Sequence, residues 1–265
     1  MRKKILLALL ALSTITSLGL SDTFSFRYNY FVPTAQSGPK WPDSLWTIEF
    51  DNMDYTKLSF QGGSFSFSYE LFLDKVFSLV FSIDSYSKTQ YGYYKDYVGY
   101  SFDEGDFAFP NDYEGDFTPG HSLKLSITPI QVSLVCSPFG RRGKLIPYIG
   151  AGIGYYFWSV TMRGDMIDFS DLNTYTDPDF GDVTVFGIWP VDAKDSGKIR
   201  NFSDLYDHLG VHILGGLTVP VANKLNLNAE LKYSYAKGIF TESFVGFDTL
   251  DLCGFQFSFG INYRF

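Results

Sequence analysis

Residues 254–265 read GFQFSFGINYRF. Phe255, Phe257, Phe259, Ile261, Tyr263 and Phe265 take every second position, and Gln256, Ser258, Gly260, Asn262 and Arg264 fill the positions between. Successive side chains of a β-strand point to opposite sides, so this period of two predicts a strand with one apolar and one polar face. The same alternation recurs along the chain. Phe24, Phe26, Tyr28 and Tyr30 alternate with Ser25, Arg27 and Asn29. Phe65, Phe67, Tyr69, Leu71 and Leu73 alternate with Ser66, Ser68 and Glu70. Phe77, Leu79, Phe81 and Ile83 follow after Asp74 and Lys75. Leu123, Leu125 and Ile127 begin a further segment whose phase slips at Pro129 to Ile130, Val132, Leu134 and Cys136, and a bulge at the proline would explain the slip. IPYIGAGIGYYFW (146–158), the run from His208 to Val219 and the run from Leu225 to Tyr235 complete eight segments.

The connections alternate in length. Those near residues 74–75, 137–144 and 220–224 are short. Those at about 32–63, 87–120, 161–207 and 236–251 are long. Tight turns at one rim and long loops at the other describe an all-β, eight-stranded, antiparallel up-and-down barrel. WTIEF (46–50) and DVTVFGIWPV (182–191) could add strands, for ten, or form hairpins above the membrane.

A soluble barrel points apolar side chains inward and a membrane barrel points them outward. Three features favour the membrane. The polar face is mostly Ser, Gly, Asn and Thr, which fit a lumen that eight strands leave only just wide enough for side chains. Its charges nearly balance, with Arg27, Lys124, Lys232 and Arg264 against Glu70, Asp84 and Glu230, so they can pair as a lumen network. The apolar face carries no charge on any segment, and each segment approaches the ~9–11 residues of a tilted spanning strand.

The first residues read differently. Arg2, Lys3 and Lys4 precede an apolar run from Ile5 to Leu12, which fades into Ser17-Leu18-Gly19. This predicts a secretory signal peptide over 1–19 and a single barrel domain over 20–265. A net charge of −8 argues against nucleic acid as a partner. Two cysteines in an exported chain could form one disulfide, but the layout puts Cys136 and Cys253 near opposite ends of the barrel, which favours two free thiols.

With its export signal, eight alternating segments, PYIGAGIGYYFW (147–158), LNLNAELKYSY (225–235) and GINYRF (260–265), the chain resembles the small outer-membrane barrels of the outer-membrane protein A, W and X type. The resemblance implies a bacterial outer membrane, periplasmic termini and extracellular long loops. It implies outer-membrane lipid and lipopolysaccharide as surroundings. It also implies that Phe257, Phe259, Ile261, Tyr263 and Phe265 form a signal read by the insertion machinery and periplasmic chaperones. A structural or surface-interaction role with a lumen largely plugged by side chains follows. The alternative is passage of small molecules, hydrophobic ones included, since Phe72, Val80, Val135, Tyr156 and Leu214 lend the inner face apolar character. A third reading is a rim enzyme, lipid-modifying or proteolytic.

The long loops mix aromatics with acids, among them Asp103, Glu104, Asp106, Asp112, Glu114 and Asp116. A solvated acidic crown and loop-on-loop packing account for this. Asp177, Asp179 and Asp182 have a loosely calcium-like spacing, but the full calcium-loop pattern is absent. Catalysis has thin support. His121 and His208 should sit near the outer rim, yet Ser122 and Asp207 adjoin them in sequence and so point to opposite faces. His212 should face the lumen. Gly150, Gly152 and Gly154 alternate along a strand and make no phosphate loop, and neither a zinc motif nor a cofactor motif is present. The chain is expected to be a non-enzyme without a cofactor.

Overall fold

The computed structural model describes residues 22–141, 143–179, 181–197 and 208–265. The segment expected to be a signal peptide lies outside them, as does Asp207. In chain order the elements are β1 (Thr23–Pro33), α1 (Leu45–Asn52), a 3₁₀ turn (Lys57–Phe60), β2 (Gly62–Phe72), β3 (Phe77–Tyr93), β4 (Tyr97–Phe102) and β5 (Gly105–Pro110). They continue with β6 (Gly120–Cys136), β7 (Ile146–Asp177), β8 (Gly181–Ser196), β9 (Leu209–Pro220), β10 (Leu225–Tyr235), β11 (Lys237–Gly238), β12 (Leu250–Asp251) and β13 (Gly254–Arg264).

Eight of these strands close a ring. β1 pairs β2, then β3, β6, β7, β9, β10 and β13 follow in order, and β13 returns to β1, all antiparallel. The closing seam runs unbroken from Thr23 opposite Arg264 to Pro33 opposite Gly254. Closure leaves no strand edge within the ring, the condition for crossing lipid without unpaired backbone. The stretch that first predicted a strand is therefore half of the seam.

The two segments that could have made ten strands do not enter the ring. WTIEF lies in helix α1. Its spacing fits a strand or a helix equally, and burial decides: Leu45, Trp46, Thr47 and Glu49 are buried. Residues 182–191 lie in β8, which pairs with the upper half of β7 after β9 has paired with its lower half. The β7–β8 ribbon thus extends the wall beyond the barrel, and the β4–β5 hairpin joins its edge through β5.

The outer face of the lower barrel is apolar and exposed. Phe24, Phe26, Phe67, Phe81, Ile83, Ile130, Ile149, Ile153, Val211, Ile213, Phe257 and Ile261 all point outward. Toward the long-loop end this band stops at one level. On β3, Ile83 is followed outward by Ser85 and Ser87. On β6, Ile130 gives way to Thr128, Ser126 and Lys124. On β7, Phe157 gives way to Ser159, Thr161 and Arg163. Inside, the change is the reverse. The polar ladders Ser25–Arg27–Asn29, Ser82–Asp84 and Ser133–Gln131 end on Phe31, Tyr86 and Ile127 respectively. The barrel leaves the membrane at this level. Below it lipid surrounds the wall, and above it water does, while the interior fills with an apolar core.

This inversion corrects the reading of Pro129. No bulge occurs there. β6 keeps one register against β7 from His121 opposite Gly164 to Cys136 opposite Ile149. It also keeps one offset against β3 on either side of the proline. The apolar residues change sides because the environment does: Leu123, Leu125 and Ile127 are core, and Ile130 and Leu134 face lipid. Lys124 is corrected for the same reason. It is exposed on the outer face above the band, away from the lumen charges with which its alternation had grouped it.

An arginine on the lipid face at mid-depth is expected to cost about 2–4 kcal/mol, falling to about 0–1 near the interface. Ile213→Arg should therefore destabilise the barrel in lipid vesicles by that larger amount, and Ser126→Arg by little. Equal effects in equilibrium denaturation would contradict the placement of the band.

Candidate functional site: the lumen and its cap

Each lumen charge stands where a polar ladder crosses the barrel. Arg27 on β1 meets Glu230 on β10, Nη1 to Oε1 at 3.3 Å. Tyr148 donates its hydroxyl to Glu230 Oε2 at 2.9 Å, and Asn228 Nδ2 donates to the Tyr148 oxygen at 2.6 Å. One step higher, Lys232 Nζ pairs with Asp84 across the barrel and donates to Gln131 Oε1 at 2.7 Å. Gln131 Nε2 in turn donates to the Tyr156 hydroxyl at 2.9 Å. Both members of the Lys232–Asp84 pair are buried, so neither can lose its partner cheaply. His212 faces inward, its Nε2 2.7 Å from Ser133 Oγ. Gly152 makes the room: a Cβ there would lie 2.7 Å from the His212 ring.

At the short-turn end, Arg141 folds back from the β6–β7 turn. Its Nη1 donates to Glu70 Oε1 at 2.7 Å, and its guanidinium lies 4.0 Å from the centre of the Phe72 ring. Ser78 Oγ reaches the same carboxylate oxygen at 2.6 Å. Arg264 lies exposed at this mouth, its guanidinium 5.5 Å from the centre of the Phe72 ring. These groups surround a cavity of about 600 Å³, which reaches from Arg141, Lys144 and Asn223 at the turns up to Lys232, Gln131 and Ser82. Val80, Val135, Tyr148 and Leu214 form a small apolar patch within it.

Above the polar ladders the mouth is occupied. α1 and the 3₁₀ turn sit inside the ring, where Trp46, Phe60, Leu45 and Met53 are almost fully buried among Phe31, Tyr86, Leu123 and Leu125. Trp46 stacks on Phe50 and packs edge-on against Phe60. Polar bonds hold the helix down. Trp46 Nε1 donates to the carbonyl of Asp251 at 3.2 Å, and the Tyr86 hydroxyl donates to the carbonyl of Phe60. His121 Nε2 lies 2.9 Å from Glu49 Oε2, to which Tyr55 also donates its hydroxyl. Burial, with the carboxylate of Glu49 beside it, pushes the Tyr55 hydroxyl well up, and burial pushes Tyr94 up to about 12. Asp195 on β8 is wholly buried and accepts from the backbone N–H of Thr241 and Glu242, which ties the last long connection to the β7–β8 ribbon.

The rim histidines thus serve packing. Ser122 points outward and donates to the Arg163 carbonyl at 3.1 Å, while His121 points inward. His208 Nδ1 accepts from Trp158 Nε1 at 3.2 Å. Asp177, Asp179 and Asp182 lie at the β7–β8 turn, where Asp177 accepts from the Asp179 N–H and Asp182 from Thr176. Among the described residues no three His, Cys, Asp or Glu gather into a metal cage. The loop aromatics pack on one another, as in Tyr100 against Phe109 and Phe102 against Tyr175. Phe257, Phe259, Ile261 and Tyr263 line the outer face of β13, with Phe265 following beyond its end. Cys136 and Cys253 are free, at opposite ends of the barrel. Glu49, Arg141 and Asp195 are not legible from the alternation of the ring strands, because they act from a helix, a turn and a strand outside the ring.

No protein-family model matches the sequence, and no curated protein matches it. Among solved structures, similarity is found to Ail, the attachment invasion locus protein of Yersinia pestis, at 10% identity over 93% of this chain and 99% of Ail, with a TM-score of 0.42. Neisserial surface protein A is similar at 12% identity over 92% of this chain and 97% of that one, TM-score 0.42. The outer membrane protein OprG of Pseudomonas aeruginosa is similar at 10% identity over 93% and 96%, TM-score 0.43. Likeness at this level carries no functional argument. The architecture stands on the chain's own strands: closed, eight-stranded and antiparallel, with an apolar outer band, it is that of a small outer-membrane barrel.

Removing one partner of a buried ion pair costs about 3–5 kcal/mol, and replacing both with apolar groups recovers most of it. Asp84→Ala should lose that much in equilibrium unfolding, and the double variant Asp84→Leu with Lys232→Met should regain most of the loss. A second check concerns Cys253. Burial, reinforced by the neighbouring Asp251 carboxylate, pushes its thiol up to about 12, so the reactive thiolate is scarce below that pH. In the folded barrel Cys253 should resist iodoacetamide at pH 8 and react promptly once unfolded. Prompt reaction in the folded state would contradict its burial.

Proposed function

We propose that this protein is a bacterial outer-membrane barrel that holds a rigid superstructure above the membrane, with a lumen closed to passage. The observation that carries this reading is the buried position of α1 and the 3₁₀ turn in the mouth of the ring. Trp46 and Phe60 are 2% and 0% exposed there. Eight strands leave an interior filled by side chains in any case, and here the Lys232–Asp84–Gln131 crossing lies beneath the cap. The superstructure is the place for interaction with surroundings: strands β7 and β8 run on past the band, and β4 and β5 add to their edge.

In this reading the short turns and both termini face the periplasm, and the long connections face the exterior with lipopolysaccharide around them. Residues 1–19 direct export, and the outer ladder of β13 ending at Phe265 is the address for the insertion machinery and chaperones. The protein works without a cofactor and is not an enzyme. A second reading, passage of small molecules, hydrophobic ones included, through an open lumen, draws support from the cavity and the apolar patch of Val80, Val135 and Leu214 in it.

Planar bilayers separate the two. The wild-type barrel should give no stable conductance step. Trp46→Ala should cost about 3–5 kcal/mol, as large aromatic truncations do in packed cores, and should add only flickering openings. A large, steady conductance in the wild type would overturn the closed lumen and favour passage.

A further inference from the structure

The blind cavity at the short-turn end has a charge that the rest of the chain does not. The protein carries a net −8, yet among the described residues Arg27, Arg141, Lys144 and Lys232 line this cavity against Glu70 and Glu230. Both carboxylates are engaged, Glu70 by Arg141 and Ser78, Glu230 by Arg27 and Tyr148. Asp84 holds Lys232 from above, so three ion pairs line the cavity with Lys144 beside them. Among the lining residues the buried polar atoms without a partner are guanidinium nitrogens and two amide oxygens, Asn228 Oδ1 and Asn262 Oδ1. Arg27 Nε, Arg141 Nε and Arg141 Nη2 are buried with no acceptor among the described residues. A buried guanidinium N–H without a partner is unfavourable, and an oxyanion is the partner it matches best, by paired, charge-assisted hydrogen bonds. The volume, about 600 Å³, admits a small solute, and the opening lies among the turns, away from lipid.

We propose that this vestibule binds a small oxyanion, a phosphate or carboxylate group, through Arg141 at its mouth and Arg27 within. The site goes beyond the closed-lumen role and does not depend on it, because Arg141 lies at the short-turn end of the vestibule whether or not the lumen conducts. Glu70 then acts as an internal competitor, holding Arg141 when the anion is absent. The two residues predict opposite effects. Loss of Arg141 should weaken binding, and loss of the Glu70 charge should strengthen it.

The test is calorimetric titration of the full chain in zwitterionic micelles with inorganic phosphate, and separately with citrate, at constant ionic strength. A parallel arm adds an anionic phospholipid to the micelles to distinguish a lipid headgroup from a free anion. Saturable binding of phosphate or citrate is expected. Arg141→Gln should weaken it by about tenfold or more, the loss of one charge-assisted contact. Glu70→Gln should tighten it, and Lys124→Gln on the outer face should leave it unchanged. Absence of saturable binding overturns the proposal. So does equal weakening by Arg141→Gln and Lys124→Gln, which would mark diffuse attraction. Binding of the lipid alone would overturn the soluble-anion site, and weakening by Glu70→Gln would mark mere disruption of the mouth.

Discussion

Everything in this structure depends on the demand that backbone polar groups be paired where no water can reach them. Eight antiparallel strands meet the demand only as a closed ring, so β1 and β13, nearly the whole described chain apart in sequence, must lie side by side. Ring closure fixes the radius, the radius leaves a lumen only as wide as a few side chains, and that width decides which residues the inner ladders can hold. Small residues fill most positions, and the few charges must cross the lumen to find one another, as Lys232 does to Asp84 and Arg27 to Glu230.

A second constraint follows from where lipid ends. The same strands continue past the membrane with unbroken register, so their two faces keep their direction while their surroundings exchange. Above the band the wall becomes that of a water-soluble barrel. It needs an apolar interior, and the chain supplies one from its first long connection by folding α1 and the 3₁₀ turn into the mouth. The bonds that fix this cap, from Trp46 to the Asp251 carbonyl and from Glu49 to His121, tie the first connection to the last and to β6. Cap and crown are one packed unit, continuous with the spanning wall.

The period of two made the ring strands legible, and the uncharged apolar face made the membrane legible. The pattern was less informative where its rule changed. At Pro129 the sequence shows apolar residues switching phase, and a bulge and a change of surroundings produce the same string. The structure distinguishes them by the constant register of β6 against β7. The same ambiguity groups Lys124 with the lumen charges. WTIEF carries apolar residues at spacings that suit strand and helix alike, and only the burial of Trp46 beneath the rim selects the helix. Arg141 lies in a turn, where no periodicity applies, so its return into the lumen to Glu70 could not be read from spacing.

The faces of one continuous wall invert at a single level. Spin labels placed singly along the outward positions of β7, at Ile149, Ile153, Phe157, Ser159 and Arg163, measure it directly in lipid bilayers. Collision with oxygen reports lipid, and collision with a water-soluble nickel chelate reports water. Relaxation should be oxygen-dominated through Phe157 and chelate-dominated from Ser159 onward. A lipid signature persisting to Arg163, or a water signature already at Ile153, would contradict it.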